Sequence, residues 1–353
     1  MLCMKISKGV SMLVAIDVYD KLLLNKNVYA YFQKDFIRNL RLEIKSHYGT
    51  LSNYNRNILK LKEGTFKYMF KKYARTFQFP RIVKMASDCG ISKETVFSNV
   101  IGFRASGSHR NKILKIPRII KVDEGFVEGY ALYLAEGDTG LSGKKIPRKF
   151  RFTNSEVTVI NHFMEWIRKY LPNIDFYINV VVPSDRNLEV NDKIQISETL
   201  DTKRNDVKFC FGDYNKKLKY KVCLDSSIVI DLMLSLNELV KNISSESLTH
   251  AAAYVRGMMI GEGTAYYNKY NYVKLEMRNE IEVKFVKSLL EKLNIHCTLR
   301  ERGDRRGMWT IFIGRRKSIL TFQASIGFGV HEKRQIILDQ MVSNFPNMNI
   351  TRI

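Results

Sequence analysis

Two short helical stretches, 126 positions apart, end in the same acidic punctuation. The first reads Tyr130-Ala131-Leu132-Tyr133-Leu134-Ala135-Glu136-Gly137, the second Arg256-Gly257-Met258-Met259-Ile260-Gly261-Glu262-Gly263. Each places small residues four apart on one helix face, Ala131 with Ala135 and Gly257 with Gly261. Small residues at that spacing let two helix backbones come close, a steric rule best attested between membrane helices. A last helical Glu followed by Gly predicts a helix that stops there, with the Gly in a conformation other residues avoid. Packed side by side, two such helices deliver both carboxylates to one end. That placement opposes the helix macrodipole by about 0.3–1 kcal/mol for each carboxylate, so it calls for a cation. A hard divalent ion such as Mg²⁺ or Mn²⁺ is held by carboxylate and carbonyl oxygens, here from Glu136, Glu262, Gly137 and Gly263. One motif alone reads as readily as a Gly-capped amphipathic helix with a solvated Glu. Two at matching places in a repeat do not.

The repeat extends past the helices. Glu136 is followed by a run rich in Lys, Arg, Gly and Ser, then Lys149-Phe150-Arg151-Phe152-Thr153-Asn154 and a helix-like stretch from Ser155 to Leu171. Glu262 is followed by Tyr266 to Tyr272, then Lys274-Leu275-Glu276-Met277-Arg278-Asn279 and a helix-like stretch from Glu280 to Leu293. Glu136 to Asn154 spans 18 positions and Glu262 to Asn279 spans 17, which aligns the two asparagines. Basic and apolar residues alternate in both runs, as in a strand with one face on a core and the other on a ligand. Two units of this kind, joined about a pseudo-dyad, predict one cationic strand surface on a monomer.

These residues resemble the LAGLIDADG homing endonuclease family. Leu134-Ala135-Glu136-Gly137 and Ile260-Gly261-Glu262-Gly263 fit its signature, which ends in an acidic residue and Gly. Ile326-Gly327-Phe328-Gly329-Val330-His331-Glu332-Lys333-Arg334-Gln335 is similar to the stretch before the last helix of that domain. The resemblance covers about residues 126–343 and is to the single-chain, two-copy form found in archaea. Ala131 stands where Gly is usual, and Glu replaces Asp at both acidic positions, which keeps the charge. What the resemblance implies is an α+β fold of two pseudo-symmetric αββαββα domains with the signature helices at their interface. It also implies saddle-shaped sheets on DNA and a metal shared between the scissile phosphates, with two-metal hydrolysis of phosphodiesters. Asn154 and Asn279 stand where the family places a polar residue that positions solvent. As readings of the residues alone, both fit helix N-caps equally well.

Charge supports a polyanionic partner. The chain has 58 Lys and Arg against 35 Asp and Glu, a net +23. Duplex DNA carries a phosphate every ~1.7 Å of axis and binds such a surplus strongly and salt-dependently, although RNA and anionic membranes would also attract it. No run of about 18 apolar residues predicts a membrane span. Met1 to Val18 lacks a signal-peptide pattern. The five cysteines (Cys3, Cys89, Cys210, Cys223 and Cys297) show no C-x-x-C spacing, and the six histidines do not cluster. This excludes a zinc site or disulfide framework as a basis for the fold and suits a reducing, nucleoid-associated cytoplasmic location.

The surplus is concentrated at the start, where residues 1–126 hold 24 basic against 9 acidic residues. Residues 1–103 read as a small basic helical domain, 104–125 as a basic linker, 126–245 as the first LAGLIDADG domain and 246–353 as the second. Val28 to Ser46 reads as an amphipathic helix, and Tyr48 to Phe79 as more of a helical bundle. Ile82 to Val96 resembles a helix-turn-helix, with Ala86 at the helix contact, Gly90 at the turn, Ser92 as N-cap and Val96 closing the core. Its second helix, predicted to reach about Ile101, could enter a major groove through Lys93, Ser98 and Asn99. A plain structural helix pair has the same pattern. In the linker, Arg110 and Lys112 are placed to lie along phosphates.

Arg148, Lys149 and Arg151 in the first copy, and Lys274, Arg278, Arg300, Arg302, Arg305 and Arg306 in the second, are the candidates for DNA contact. Arg pairs bidentately with guanine, while Lys favours phosphates. Lys203, Arg204 and Lys208 extend that set. Lys221, Lys333 and Arg334 are candidates for a cation near the scissile phosphate. Three functions follow from the resemblance: a site-specific, intron-encoded DNA endonuclease, a non-cutting regulator on the same scaffold, and an RNA maturase. Retention of both acidic residues favours the first. The ends, Met1 and Thr351-Arg352-Ile353, lack intein junctions and read as those of a free-standing protein.

Overall fold

The computed structural model describes residues 14–69, 75–105, 113–137, 149–212 and 217–345. Arg110, Lys112 and Arg148 lie outside them. The N-terminal part runs β1 (Val14–Asp17), α1 (Val18–Leu23), β2 (Val28–Phe32), α2 (Lys34–Tyr48), α3 (Leu51–Tyr54) and α4 (Glu63–Met69). It continues with β3 (Thr76–Gln78), α5 (Phe79–Asp88), α6 (Lys93–Ser98), β4 (Val100–Ala105) and β5 (Ile119–Val122).

The helical N-terminal part expected from sequence also contains a three-stranded antiparallel sheet, in the order β3-β2-β4. Val28 to Ser46 is not one helix. Val28, Ala30 and Phe32 are buried while Tyr29 and Tyr31 are half-exposed, the period-two alternation of a strand, and the helix starts only at Lys34. The pair α5 and α6 forms around Gly90, at φ +72°, with Ser92 accepting from the Thr95 amide as N-cap. However, α6 ends at Ser98 rather than Ile101. Asn99 Nδ2 donates to the Thr95 carbonyl at 2.8 Å, and Val100 starts a strand paired to β2. Phe103 and Leu114 exchange two backbone hydrogen bonds of 2.8 Å, and β5 pairs antiparallel with β1.

The first copy follows with α7 (Glu124–Glu136), β6 (Phe150–Asn154), α8 (Val157–Tyr170), β7 (Tyr177–Pro183), α9 (Val190–Thr199), β8 (Val207–Gly212), β9 (Lys219–Leu224) and α10 (Ser227–Glu246). The second runs α11 (Leu248–Glu262), β10 (Gly263–Tyr267), β11 (Asn271–Met277), α12 (Glu280–Lys292), β12 (Thr298–Glu301), β13 (Trp309–Ile313), α13 (Arg316–Ser325) and α14 (Glu332–Ser343). Their sheets have the orders β6-β9-β7-β8 and β10-β11-β13-β12. Gly137 bridges to Phe152 as Gly263 pairs with Leu275, so β6 corresponds to β11, β9 to β13 and β7 to β12.

The fold is the α+β arrangement expected, with one addition. In the first copy α9 and β8 are inserted where the second has a short turn, and β8 pairs parallel to β7. A parallel pair needs a crossover connection, and α9 provides it.

The two copies meet along α7 and α11, which run parallel. Thr249 Oγ1 donates to Glu124 at one end, and Gly257 and Gly261 lie against Ala131 and Ala135 further along. A Cβ on Gly257 would sit 2.1 Å from the Glu128 carbonyl oxygen, and one on Gly261 would sit 2.6 Å from Ala135 Cβ. The small-residue spacing thus does what sequence predicts: it removes the side chains that would hold the backbones apart. Around this contact Tyr130, Tyr133 and Tyr254 are fully buried, and the Tyr130 hydroxyl donates to the Met233 carbonyl at 2.7 Å. Arg256 Nη1 binds Glu128 across the interface at 3.0 Å, while its other nitrogens donate to the Ser325 and Ile326 carbonyls.

Candidate metal and nucleic-acid site

Because α7 and α11 are parallel and in close contact, Glu136 and Glu262 emerge at the same end. The position a Gly261 Cβ would take is 3.0 Å from Glu136 Cγ. Neither following glycine is in the left-handed region expected from sequence. Gly137 has φ −77° and Gly263 φ −76°, ordinary extended values. They are glycines for room instead. A Cβ would lie 2.3 Å from the Tyr133 carbonyl oxygen in one case and 2.5 Å from that of Met259 in the other. Each is where the chain passes straight from helix to strand.

Both carboxylates are half-buried and resist ionisation. Burial, with the neighbouring Glu262 adding to it, pushes Glu136 up to about 7, against the pull of Arg334, Lys219 and an Asn154 hydrogen bond. Burial also raises Glu262, opposed by Arg334 and reinforced by Glu276. An acidic pair that its positive neighbours compensate only in part suits a cation, and its oxygens suit a hard one. Among the described residues no cluster of three or more His, Cys, Asp or Glu side chains could hold an ion. Further ligands would come from backbone, water or phosphate oxygens.

The two asparagines are not equivalent. Asn154 is buried at the end of β6, donates Nδ2 to Glu136 at 3.1 Å and accepts from the Glu156 amide at 2.9 Å. Asn279 is exposed and caps α12, accepting from the Glu282 amide at 3.2 Å. The strand register explains this. With Phe152 matched to Leu275, Asn154 corresponds to Met277, and Asn279 to Glu156, the N-cap of α8. Counting positions from Glu misaligned them, because the connections between helix and strand differ in length.

Residues of α14 close the site from the second copy. Lys333 Nζ lies 2.8 Å from both carboxylate oxygens of Glu156, an ion pair between the copies rather than a free cation. Arg334 Nη1 donates to the carbonyls of Met259, Ile260 and Gly261 at 3.1, 2.7 and 2.9 Å, in the last turn of α11. Its charge faces Glu136, Glu262 and Glu156. Buried His331, next to Arg334 and Lys333, is held down to about 4, by burial first.

The sheet faces turned away from the core carry most of the candidate DNA contacts. In the first copy Arg151 and Thr153 on β6 face outward, with Lys221 opposite Thr153 on β9 and Asn179 beyond it on β7. Lys208 pairs alongside Asn179. In the second, Lys274 and Glu276 on β11 face outward beside Phe312 and Thr310 on β13, with Arg300 on β12 stacked over the Phe312 ring. Lys274 and Arg302 both bind Glu276, at 2.5 and 2.8 Å. Arg278, Arg305 and Arg306 are exposed, beyond β11 and in the turn joining β12 to β13. Lys149 pairs with Asp225 at 3.3 Å.

In the N-terminal part, Lys93 pairs with Asp20 at 2.8 Å, and Ser98 and Asn99 turn back onto the Thr95 carbonyl. A six-residue helix whose polar ends are spent in this way presents little to a groove. Sequence reasoning missed Lys219, whose charge acts on Glu136. It was signalled by the Lys219-Tyr220-Lys221 alternation, which puts both lysines on one strand face.

Residues 249–327 match the family model described as a LAGLIDADG-like domain. That match spans α11 to the end of α13, within the second copy. No curated protein matches it. Among solved structures, I-DmoI in complex with DNA and Mn is similar at 13% identity and a TM-score of 0.37, over 59% of this chain and 98% of that one. Full-length DUF199/WhiA from Thermatoga maritima is similar at 16% identity and a TM-score of 0.38, over 65% of this chain and 63% of that one. The N-terminal LAGLIDADG domain of DUF199/WhiA is similar at 15% identity and a TM-score of 0.35, over 60% and 84%. All three similarities are distant.

Proposed function

We propose that the chain is a site-specific endonuclease of double-stranded DNA, of the homing endonuclease type, in which Glu136 and Glu262 hold Mg²⁺ or Mn²⁺. The observation that carries this reading is the convergence of two half-buried, incompletely compensated carboxylates at parallel helix ends. A divalent ion bound there supplies a lowered pKa for water and charge stabilisation for the departing oxygen. Asn154 fixes the Glu136 carboxylate. Lys219 on β9 brings positive charge to Glu136, and Lys221, two positions on, shares its strand face. Arg151, Lys208, Lys274, Arg300 and Arg302 neutralise phosphates and read base edges along the two faces.

Incubation with a genomic duplex library in Mg²⁺ or Ca²⁺, followed by sequencing of new ends, tests the reading. Discrete ends in Mg²⁺ that vanish with Glu136→Gln or Glu262→Gln support it, with duplex affinity kept or raised in both variants. Cleavage that survives both changes together would refute the metal assignment. The alternative is a non-cutting DNA-binding regulator, and Arg334 favours it. An internal cation beside the glutamates gives them a partner without any metal. Strong duplex retention with no new ends would select that reading.

A further inference from the structure

We propose that Arg334 is the built-in counter-cation of the Glu136 and Glu262 pair: it supplies the positive charge that holds the two helix ends together when no divalent ion is bound. The inference rests on the two-glutamate site named above and is independent of cleavage.

Three observations support it. The first is position. Parallel helices bring two negative dipole ends and two carboxylates together, an arrangement with no internal compensation of its own. The guanidinium sits at that junction, with one nitrogen on three carbonyls of the last turn of α11. The second is burial. Arg334 is half-buried, and a guanidinium drawn out of water persists only where opposite charge and acceptors replace the water it gives up. Glu136, Glu262 and Glu156 provide that charge. The third is asymmetry. Glu136 also receives the Asn154 side chain, whereas Met277 occupies the corresponding place beside Glu262 and can donate nothing. The second helix end therefore relies on Arg334, carried over by α14. A phosphate-binding cation would project from a sheet face. Arg334 instead points at a helix end, so its role differs from that of Lys221.

Melting curves of the full chain in EDTA provide the test. Arg334→Gln should lower Tm by about 5–10 °C, the scale of losing one partner from a partly buried ionic cluster. With Glu136→Gln and Glu262→Gln also present, the loss should shrink to less than half. An equal loss in both backgrounds overturns the proposal and leaves Arg334 as a plain helix cap. Arg334→Lys, which keeps the charge with fewer donors, should retain most of the wild-type Tm, and a fall as large as that of the Gln variant also overturns it. If Arg334→Gln does not fold in EDTA, the triple variant must fold, and failure to do so overturns the proposal. Adding Ca²⁺ separates this proposal from the metal reading. Recovery of Arg334→Gln by Ca²⁺ supports both. A charge coupling that persists with no Ca²⁺ response in any variant supports the counter-cation and counts against the metal.

Discussion

Glu136 is a carboxylate whose charged form the fold disfavours. Its ordinary value of 4.5 is pushed up to about 7 by burial and by Glu262, so between those limits the native state binds more protons than the unfolded chain. Stability must then fall as pH rises from about 4.5 to about 7, by about 3 kcal/mol for this one group. Glu136→Gln removes the titration. We expect the variant to melt above wild type at pH 8 and close to it at pH 4.5, in EDTA. Equal differences at both pH values would show that Glu136 is ionised without penalty. His331 acts in the opposite sense. Held down to about 4 by burial and by Arg334, it withdraws stability as pH falls from 6.5 toward 4, and His331→Gln should flatten that acid limb. The two glutamates were legible in the sequence because the motif occurs twice. Asn154 and Arg334 were named beside them, but Lys219 was not, and neither was the contact of Asn154 with Glu136, since the three side chains reach the pair from three different elements.

The helix contact is fixed by missing atoms. A Cβ on Gly257 would meet backbone, the Glu128 carbonyl oxygen at 2.1 Å, and backbone in a packed helix cannot rotate out of the way. Gly257→Ala should destabilise by about 1–3 kcal/mol through overpacking, measured by denaturant unfolding, even though alanine favours helices more than glycine. A stabilised Gly257→Ala would mean that the helices stand further apart than this distance requires. This contact, and both signature helices, could be read from spacing alone. Strand β2 could not, because Val28 to Phe32 runs straight into an amphipathic helix and only the burial of alternate residues separates them. The inserted α9 and β8 were equally hidden, since a crossover helix with polar flanks resembles a long loop until its strand is paired.

At the scale of the whole molecule, the basic N-terminal part is built into the core. Its first strand, β1, is the only partner of β5 among the described residues, and β5 leads directly into the first signature helix. Asn25 donates to Asp231 on α10 at 2.7 Å, and Arg118 binds both Asp17 and Glu94. A chain beginning at residue 114 would leave β5 unpaired, uncovering Ile120 and Val122, which are buried in the full chain. The full chain should therefore melt in one transition, and the shortened one at a lower temperature. Two separable transitions, the second unchanged by truncation, would mean that the parts are independent. The shortened chain also gives up most of the net +23, because residues 1–113 hold 21 of the 58 basic residues and only 7 of the 35 acidic ones. If those charges meet the duplex, the plot of log affinity against log salt flattens by about 0.9 for every phosphate that is no longer neutralised. Arg151→Ala, on the outward face of β6, should reduce the slope by only about 1. An unchanged slope after truncation would confine DNA to the two sheets and leave the N-terminal part as the scaffold that holds α7 in place.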